Sequence, residues 1–161
     1  MSRFKFSNRS RQRLVGVNQD MIAVCERAIE LTRVDFGITE GVRSLERQKE
    51  LVAQKRSQTL KSKHLEGLAV DVAAYFGSEV SWDINVYDDI ADAFVEASRE
   101  LSVPIRWGGA WTVNDIAAFN GTMEMAHNSY IDTKRNKQQR PFIDGPHFEL
   151  SANNLVAAEY E

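Results

Sequence analysis

From Asn18 onward the apolar residues Met21, Val24, Cys25, Ala28 and Leu31 recur three and four positions apart, the stripe of an amphipathic helix that Asn18 can cap. Gly37 reads as the end of that helix, and Phe36, Ile38 and Val42 then predict a strand that delivers Arg43 to its tip. A second helix is expected after Ser44, with Glu46 in its first turn and Leu45, Gln48, Leu51 and Val52 on one face. The polar stretch 55–63 reads as a loop. Residues 68–76 are apolar except for Asp71, and Val70, Val72 and Ala74 fit a buried strand. A longer helix starts at Asp83 or Asn85 and runs through Ile90, Phe94, Val95 and Leu101, after which Pro104 restarts the chain as a strand at Ile105, Arg106 and Trp107. Trp107-Gly108-Gly109-Ala110-Trp111 is a turn. The stretch 112–143 is long and mixed, helical near 116–125, and a connection of this length either covers a site or folds locally. Asp144-Gly145-Pro146 closes it as a tight turn, and His147 to Leu150 is a short strand with His147 and Glu149 on one face.

Composition narrows the chemistry. The chain has 161 residues, 43% hydrophobic and 27% charged, the profile of a single soluble domain. A chain of that length buries roughly 70% of its unfolded surface and needs no disulfide to hold a core. Its single cysteine excludes disulfide frameworks, cysteine zinc fingers and Cys-x-x-Cys redox motifs, which leaves histidine and carboxylate as metal ligands. Cys25 itself lies on an apolar stripe and reads as a core thiol. No apolar run approaches the roughly 18 residues of a membrane span, and the N-terminus lacks the apolar core of a secretion signal, so synthesis in a cytoplasm is expected.

The net charge of -3 hides an asymmetry. Arg3, Lys5, Arg9, Arg11 and Arg13 precede the first acid, Asp20, leaving 15 basic against 23 acidic residues, a balance of -8, in the remainder. Residues 1–17 therefore read as a basic arm, either a solvated tail or a contact for anionic envelope polymers. The later cluster Lys134, Arg135, Lys137 and Arg140 has no interleaved aromatics, reads as a loop, and gives no reason to expect nucleic acid.

Asp71 is the residue out of place. An ionised carboxylate inside an apolar strand is costly unless it is paired or bound to a metal. His64 lies seven residues before it across Gly67, and His147 heads another strand. Two imidazoles and a carboxylate form a catalytic zinc set with a fourth position left for water. Such a site needs a general base, for which Asp144 and Glu149 compete on spacing alone. The alternative reading has ordinary histidines, with Asp71 paired to an arginine such as Arg43.

Ser62-x-His64-x-x-Gly67-x-Ala69-x-Asp71, followed downstream by Asp144-x-x-His147, resembles the zinc peptidases of the hedgehog/DD-peptidase fold, and landmarks agree in order over roughly residues 35–150. The resemblance implies an α+β fold, a small antiparallel sheet carrying a zinc site and flanked by helices, in a single catalytic domain over 1–161. It implies His64, Asp71 and His147 as ligands of one zinc ion and Asp144 as the acid/base. Gly41-Val42-Arg43-Ser44 with Gln48 is similar to the family's strand-end arginine motif, which implies that Arg43 meets the substrate near the scissile carbonyl and that Gln48 and Ser62 line the same site. Trp107-Gly108-Gly109-Ala110-Trp111 is similar to a Trp-Gly-Gly-Asp-Trp signature with Ala110 in place of the acid, and Trp111 is expected to wall the cleft. His127 matches no ligand of the family and reads as structural.

The Asp-x-x-His ending is most similar to the phage L-alanyl-D-glutamate endolysins, since a glutamate commonly holds the base position in the carboxypeptidase and dipeptidase members. The implied activity is zinc-dependent cleavage of the L-alanyl-D-glutamate bond in bacterial peptidoglycan by a monomer that reaches the wall once the membrane is permeabilised. The alternatives are a D,D-carboxypeptidase or dipeptidase, and a zinc-stabilised binding or virion module without turnover. A second cation near Asp115, Glu124 and Asp132 is left open, since their spacing is not that of a calcium loop.

Overall fold

Alternation along one strand organises the molecule. In the computed structural model, which describes residues 4–55 and 63–151, strand β2 (Ala69–Phe76) turns Val70, Val72 and Ala74 into the core and Asp71 to the opposite face. It is the centre of an antiparallel sheet with β1 (Asp35–Glu40), β3 (Glu79–Ser81), β4 (Ile105–Trp107) and β5 (His147–Leu150). The order is β1-β2-β5-β4, with β3 paired to the far half of β2. Phe36 and Ile38 sit opposite Ala74 and Val72, and Phe148 sits opposite Val70. These residues make one apolar face.

Helices cover that face. Helix α2 (Gln19–Leu31) and helix α4 (Ile84–Leu101) pack on one another and on the sheet. Phe94 of α4 lies flat on Phe148, with ring centroids 3.8 Å apart. Asn18 caps α2 through the Asp20 N–H, Ser44 caps α3 (Leu45–Ala53), and Asp83 caps α4. The α+β architecture, strands β1, β2, β4 and β5 and these three helices match the sequence expectations.

Several boundaries differ. Helix α2 stops at Leu31, where Thr32 turns its hydroxyl onto the carbonyl of Val34, and Gly37 lies inside β1 instead of ending a helix. A Cβ at Gly37 would stand 3.1 Å from both Ser10 Oγ and the Tyr75 ring, so close approach, not a turn, requires glycine there. Ile29 is buried where Leu31 is only partly covered, and Leu45 is exposed beside the buried Gln48 and Leu51. In the 112–143 stretch a short 3₁₀ turn over 116–118 breaks before Gly121, whose φ is +145°, and Thr122 then caps helix α5 (Met123–Asn136). Lys134 and Arg135 belong to the last turn of α5, where the helix dipole favours cations, and not to a loop.

The basic arm is part of the fold. Helix α1 (Asn8–Arg13) lies on β1, and Phe6, Leu14 and Val17 are buried, Phe6 meeting Phe36 edge-on. Arg13 donates to the carbonyl of Ile38, and the buried Ser10 hydroxyl accepts the N–H of Ile38 at 3.0 Å. Lys5, Arg9 and Arg11 point outward. Cys25 is fully buried and its burial pushes the thiol pKa up, which fits a core residue.

Ser10→Ala leaves the Ile38 N–H buried without a partner. It should cost about 1–3 kcal/mol and lower the melting temperature by several degrees in calorimetry. An unchanged melting temperature would show that the arm is not held in this way.

Candidate metal centre

Register brings the first two ligand candidates together. Asp71 of β2 and His147 of β5 are directly opposed partners in the antiparallel ladder, so their side chains leave the sheet on the same face. His64 arrives from a 3₁₀ turn (Lys63–Glu66) that re-enters β2 through Gly67, whose φ of +72° is a left-handed turn. A Cβ at Gly67 would also stand 2.7 Å from the carbonyl of Gly16, so the chain after α1 fixes this turn from outside.

The three donor atoms form a nearly equilateral triangle. His64 Nε2, Asp71 Oδ1 and His147 Nδ1 stand 3.2 Å from one another. Their partners on the far side decide what they present. His64 Nδ1 lies 2.8 Å from the carbonyl of Gly41, which only accepts, so that nitrogen carries a hydrogen and Nε2 is the atom presented to the centre. His147 Nε2 lies 2.8 Å from Glu149 Oε1 and donates to it, which leaves Nδ1 aimed at the centre, able to bind a metal that displaces its proton. Tetrahedral ligands at zinc distances of about 2.0 Å are separated by about 3.3 Å. The triangle fits a metal.

Charge points to a cation too. Burial opposes ionisation of Asp71, but the charge and hydrogen bonds of the two imidazoles overcome it and hold the carboxyl far below the usual range. Burial likewise opposes a charged His147, but Asp71 and Glu149 on its two sides push its pKa up to about 10. Residues that recruit a proton this strongly form a site that a divalent ion can take over. Among the described residues no second group of three such donors converges, and Asp115 instead caps the 3₁₀ turn at Ala117.

A second ring of residues locks the first. Arg43, on the loop after β1, donates through Nη2 to Asp71 Oδ2 at 3.1 Å. Its Nε and Nη2 also clamp Glu40, and Nη1 donates to Gln48. A bulge between Ile38 and Glu40 places Glu40 opposite Asp71, within reach of this guanidinium. Gln48 is fully buried on α3, explained by its bond to Arg43. Lys63 pairs with Glu149 Oε2 at 2.7 Å, so both oxygens of Glu149 are taken. Burial would raise the Glu149 pKa, but His147 and Lys63 bring it down to about 2.

Asp144 is different. Its backbone is pinned, the N–H to Gly108 and the carbonyl to the N–H of His147. Among the described residues its carboxylate has no hydrogen-bond or ion-pair partner. Burial raises its pKa, and it lies close enough to feel the charges of His147, Asp71, His64 and Arg43.

Trp111 stands beside the ligands, its ring centroid 5.5 Å from that of His147 and under the guanidinium of Arg106. Ser62 lies outside the described residues. His127 faces the carbonyl of Gly109 at 2.6 Å, away from the triangle, and Ala110 is fully buried in the core. Sequence reasoning missed Glu40, Lys63, the Gly41 carbonyl and Trp107, whose indole N–H holds the carbonyl of Gly145 at 2.7 Å. Lys63, Trp107 and Gly41 each stand inside a motif that carries the family resemblance, although nothing in the sequence says that the Gly41 carbonyl faces His64. Glu40 stands just outside these motifs.

Glu149→Gln keeps the shape but removes the charge that orients His147 and supports its ring. Metal affinity should fall about 10–100-fold in competition against a chromogenic chelator, with the circular dichroism spectrum unchanged. Unaltered affinity would show that Glu149 only packs.

Comparison with known proteins agrees with this geometry. Residues 1–151 match the phage L-alanyl-D-glutamate peptidase family. The L-alanyl-D-glutamate peptidase of Escherichia phage T5 is 32% identical over 115 residues, covering 69% of this chain and 84% of that protein. The crystal structure of the L-Ala D-Glu endopeptidase ChiX of Serratia marcescens superposes with a TM-score of 0.72 at 34% identity, covering 94% of this chain and 92% of that one. With nearly its whole described length matched and the donor triangle in place, the chain belongs to the phage L-alanyl-D-glutamate peptidase family.

Proposed function

We propose that this protein is a zinc-dependent peptidoglycan endopeptidase that hydrolyses the L-alanyl-D-glutamate bond of murein stem peptides. The observation that carries the reading is the convergence of three donor atoms from His64, Asp71 and His147 beside the Asp144 carboxylate, which has no partner among the described residues, in a chain of this family. Two imidazoles and one carboxylate suit zinc better than the harder divalent ions, which favour all-oxygen sites. When bound, zinc supplies Lewis acidity and makes water acidic enough to lose a proton near neutral pH.

The protein's own groups do the rest. Asp144 takes the proton from the attacking water and returns it to the leaving amine nitrogen, and the burial that raises its pKa suits both halves of that task. Glu149, with each oxygen engaged, is assigned to orienting His147. Arg43 holds Asp71 and steadies the developing oxyanion or a substrate carboxylate, and Gln48 fixes its guanidinium. Trp111 walls the cleft next to His147. The 112–143 stretch borders the cleft, tied to the Trp107–Trp111 turn by the His127 bond to Gly109 and tied within itself by Tyr130, whose hydroxyl donates to the carbonyl of Phe142 and accepts its N–H. Among the described residues no helix is long and apolar enough to cross a membrane, and the substrate is reached in the wall once the membrane has been opened.

The test is digestion of purified peptidoglycan with the metal-loaded protein, after chelation, and after zinc is restored, with new termini identified by mass spectrometry. New N-terminal glutamate, lost on chelation and regained with zinc, is the expected result. Released D-alanine would move the enzyme to the carboxypeptidase branch, and no cleavage with zinc bound would make it a binding module. Asp144→Ala should lower turnover by at least about 10²-fold while retaining stoichiometric zinc. Full activity in that variant would remove Asp144 from the base role.

A further inference from the structure

One large aromatic residue near the site has no structural task. Trp82 is 64% exposed, between exposed Val80 and the start of α4. One face of its indole lies parallel to the ring of Tyr87, with centroids 6.2 Å apart and planes 6° from parallel. Tyr87 is rigid: it is fully buried, and its hydroxyl donates to the carbonyl of Ser81 and accepts the N–H of Ala74. An exposed indole braced from behind gives up no core contact to stay where it is, and the exposed Phe76 and Val80 of the same hairpin add to the apolar surface around it.

Register places it beside the metal centre. Strand β3 ends with Ser81 opposite Ala74, and β5 begins with His147 opposite Asp71, on the same edge of β2. The interval between them is three residues, about 10 Å of strand. It is filled from one side by Pro146, whose carbonyl accepts the N–H of Val72, and from the other by Trp82 as the chain leaves β3. The turn that carries Asp144 packs on the same support, since a Cβ at Gly145 would stand 2.8 Å from Ile84 and 3.4 Å from Tyr87.

We propose that Trp82 is a stacking platform for a pyranose ring of the murein glycan, making the enzyme selective for stem peptides still attached to sugar. The inference rests on the L-alanyl-D-glutamate reading. In murein that alanine is joined through its nitrogen to the lactyl group of an amino sugar, so the ring lies one residue and one lactyl unit before the scissile bond, a reach of about 7 Å. That reach is about one residue shorter than the roughly 10 Å of strand between Asp71 and Ala74, a difference the length of the indole side chain can span. A pyranose presents a flat face of C–H groups that covers an indole, and the sugar is neutral where the lactyl carboxyl is amidated. Glu79 and Asp83, exposed on either side of Trp82, disfavour an anionic ligand there.

Two measurements on the full-length zinc protein test this. Cleavage kinetics are compared on a disaccharide-linked stem peptide and on the same peptide without sugar. Trp82→Ala should raise KM about tenfold on the first substrate, leave kcat and the sugar-free peptide unchanged, and keep the melting temperature, while Trp82→Phe restores most of the loss. Equal effects on both substrates, or none, would overturn the proposal. Separately, the free murein disaccharide should perturb tryptophan fluorescence in the parent protein and not in Trp82→Ala. A disaccharide response without L-alanyl-D-glutamate cleavage would support the sugar site while sinking the proposed bond, and no response would overturn the sugar site whatever bond is cut.

Discussion

Stripped of protons, three donor atoms held 3.2 Å apart would repel one another, and the rest of this structure maintains that arrangement. The proton that Asp71 and Glu149 hold on His147 relieves it when no metal is bound. The far side of each ring is fixed, His64 by the carbonyl of Gly41 and His147 by Glu149. A carbonyl can only accept and a paired carboxylate at low pKa can only accept, so the tautomers are set by chemistry and not by packing alone. A cation at the centre converts the repulsion into binding energy.

The arm, β1 and the metal site form one mechanical unit through Gly41. A Cβ there would stand 2.1 Å from the carbonyl of Arg13, so glycine is required by the close approach of the chain at the end of α1, and that approach presses the Gly41 carbonyl toward His64. Asn18 adds a second tie by donating its backbone N–H to the carbonyl of Gly67, on the turn that carries His64 into β2. The basic residues at the start of the chain therefore sit on a segment that the ligand geometry depends on. Their charge and their structural position are separate matters, and removing the segment would confound the two.

How much of this is legible in the sequence follows from where the information sits. Asp71 stands out because a carboxylate in an apolar strand needs a partner, and the alternation of Val70, Val72 and Ala74 is enough to put it on the opposite face. The two open readings of Asp71, metal ligand and partner of Arg43, are compatible, since Oδ1 faces the triangle and Oδ2 the guanidinium. Spacing does not separate Glu149 from Asp144, because what distinguishes them is a lysine distant in the chain, Lys63, that occupies one oxygen. Helix α1 and strand β3 escape detection for a different reason. Each is short and carries few apolar residues, so neither has a period to detect, and each forms only because a neighbouring strand offers it hydrogen bonds.

The turn at 144–146 shows how the fold separates a rigid backbone from a free side chain. The Asp144 N–H bonds to Gly108, the Asp144 carbonyl to His147, the Gly145 carbonyl to the Trp107 indole, and the Pro146 carbonyl to Val72. A Cβ at Gly108 would stand 2.2 Å from the Asp144 carbonyl, which explains a glycine after the tryptophan. With four of its backbone groups committed, the turn has little freedom left, while among the described residues the Asp144 carboxylate has no hydrogen-bond or ion-pair partner. A proton carrier must exchange its partner during a reaction, so a side chain already held by two donors, as Glu149 is, would have to break them first. Under the proposed mechanism, pinning the main chain while the carboxylate has no partner among the described residues keeps its distance to the metal centre fixed at no such cost.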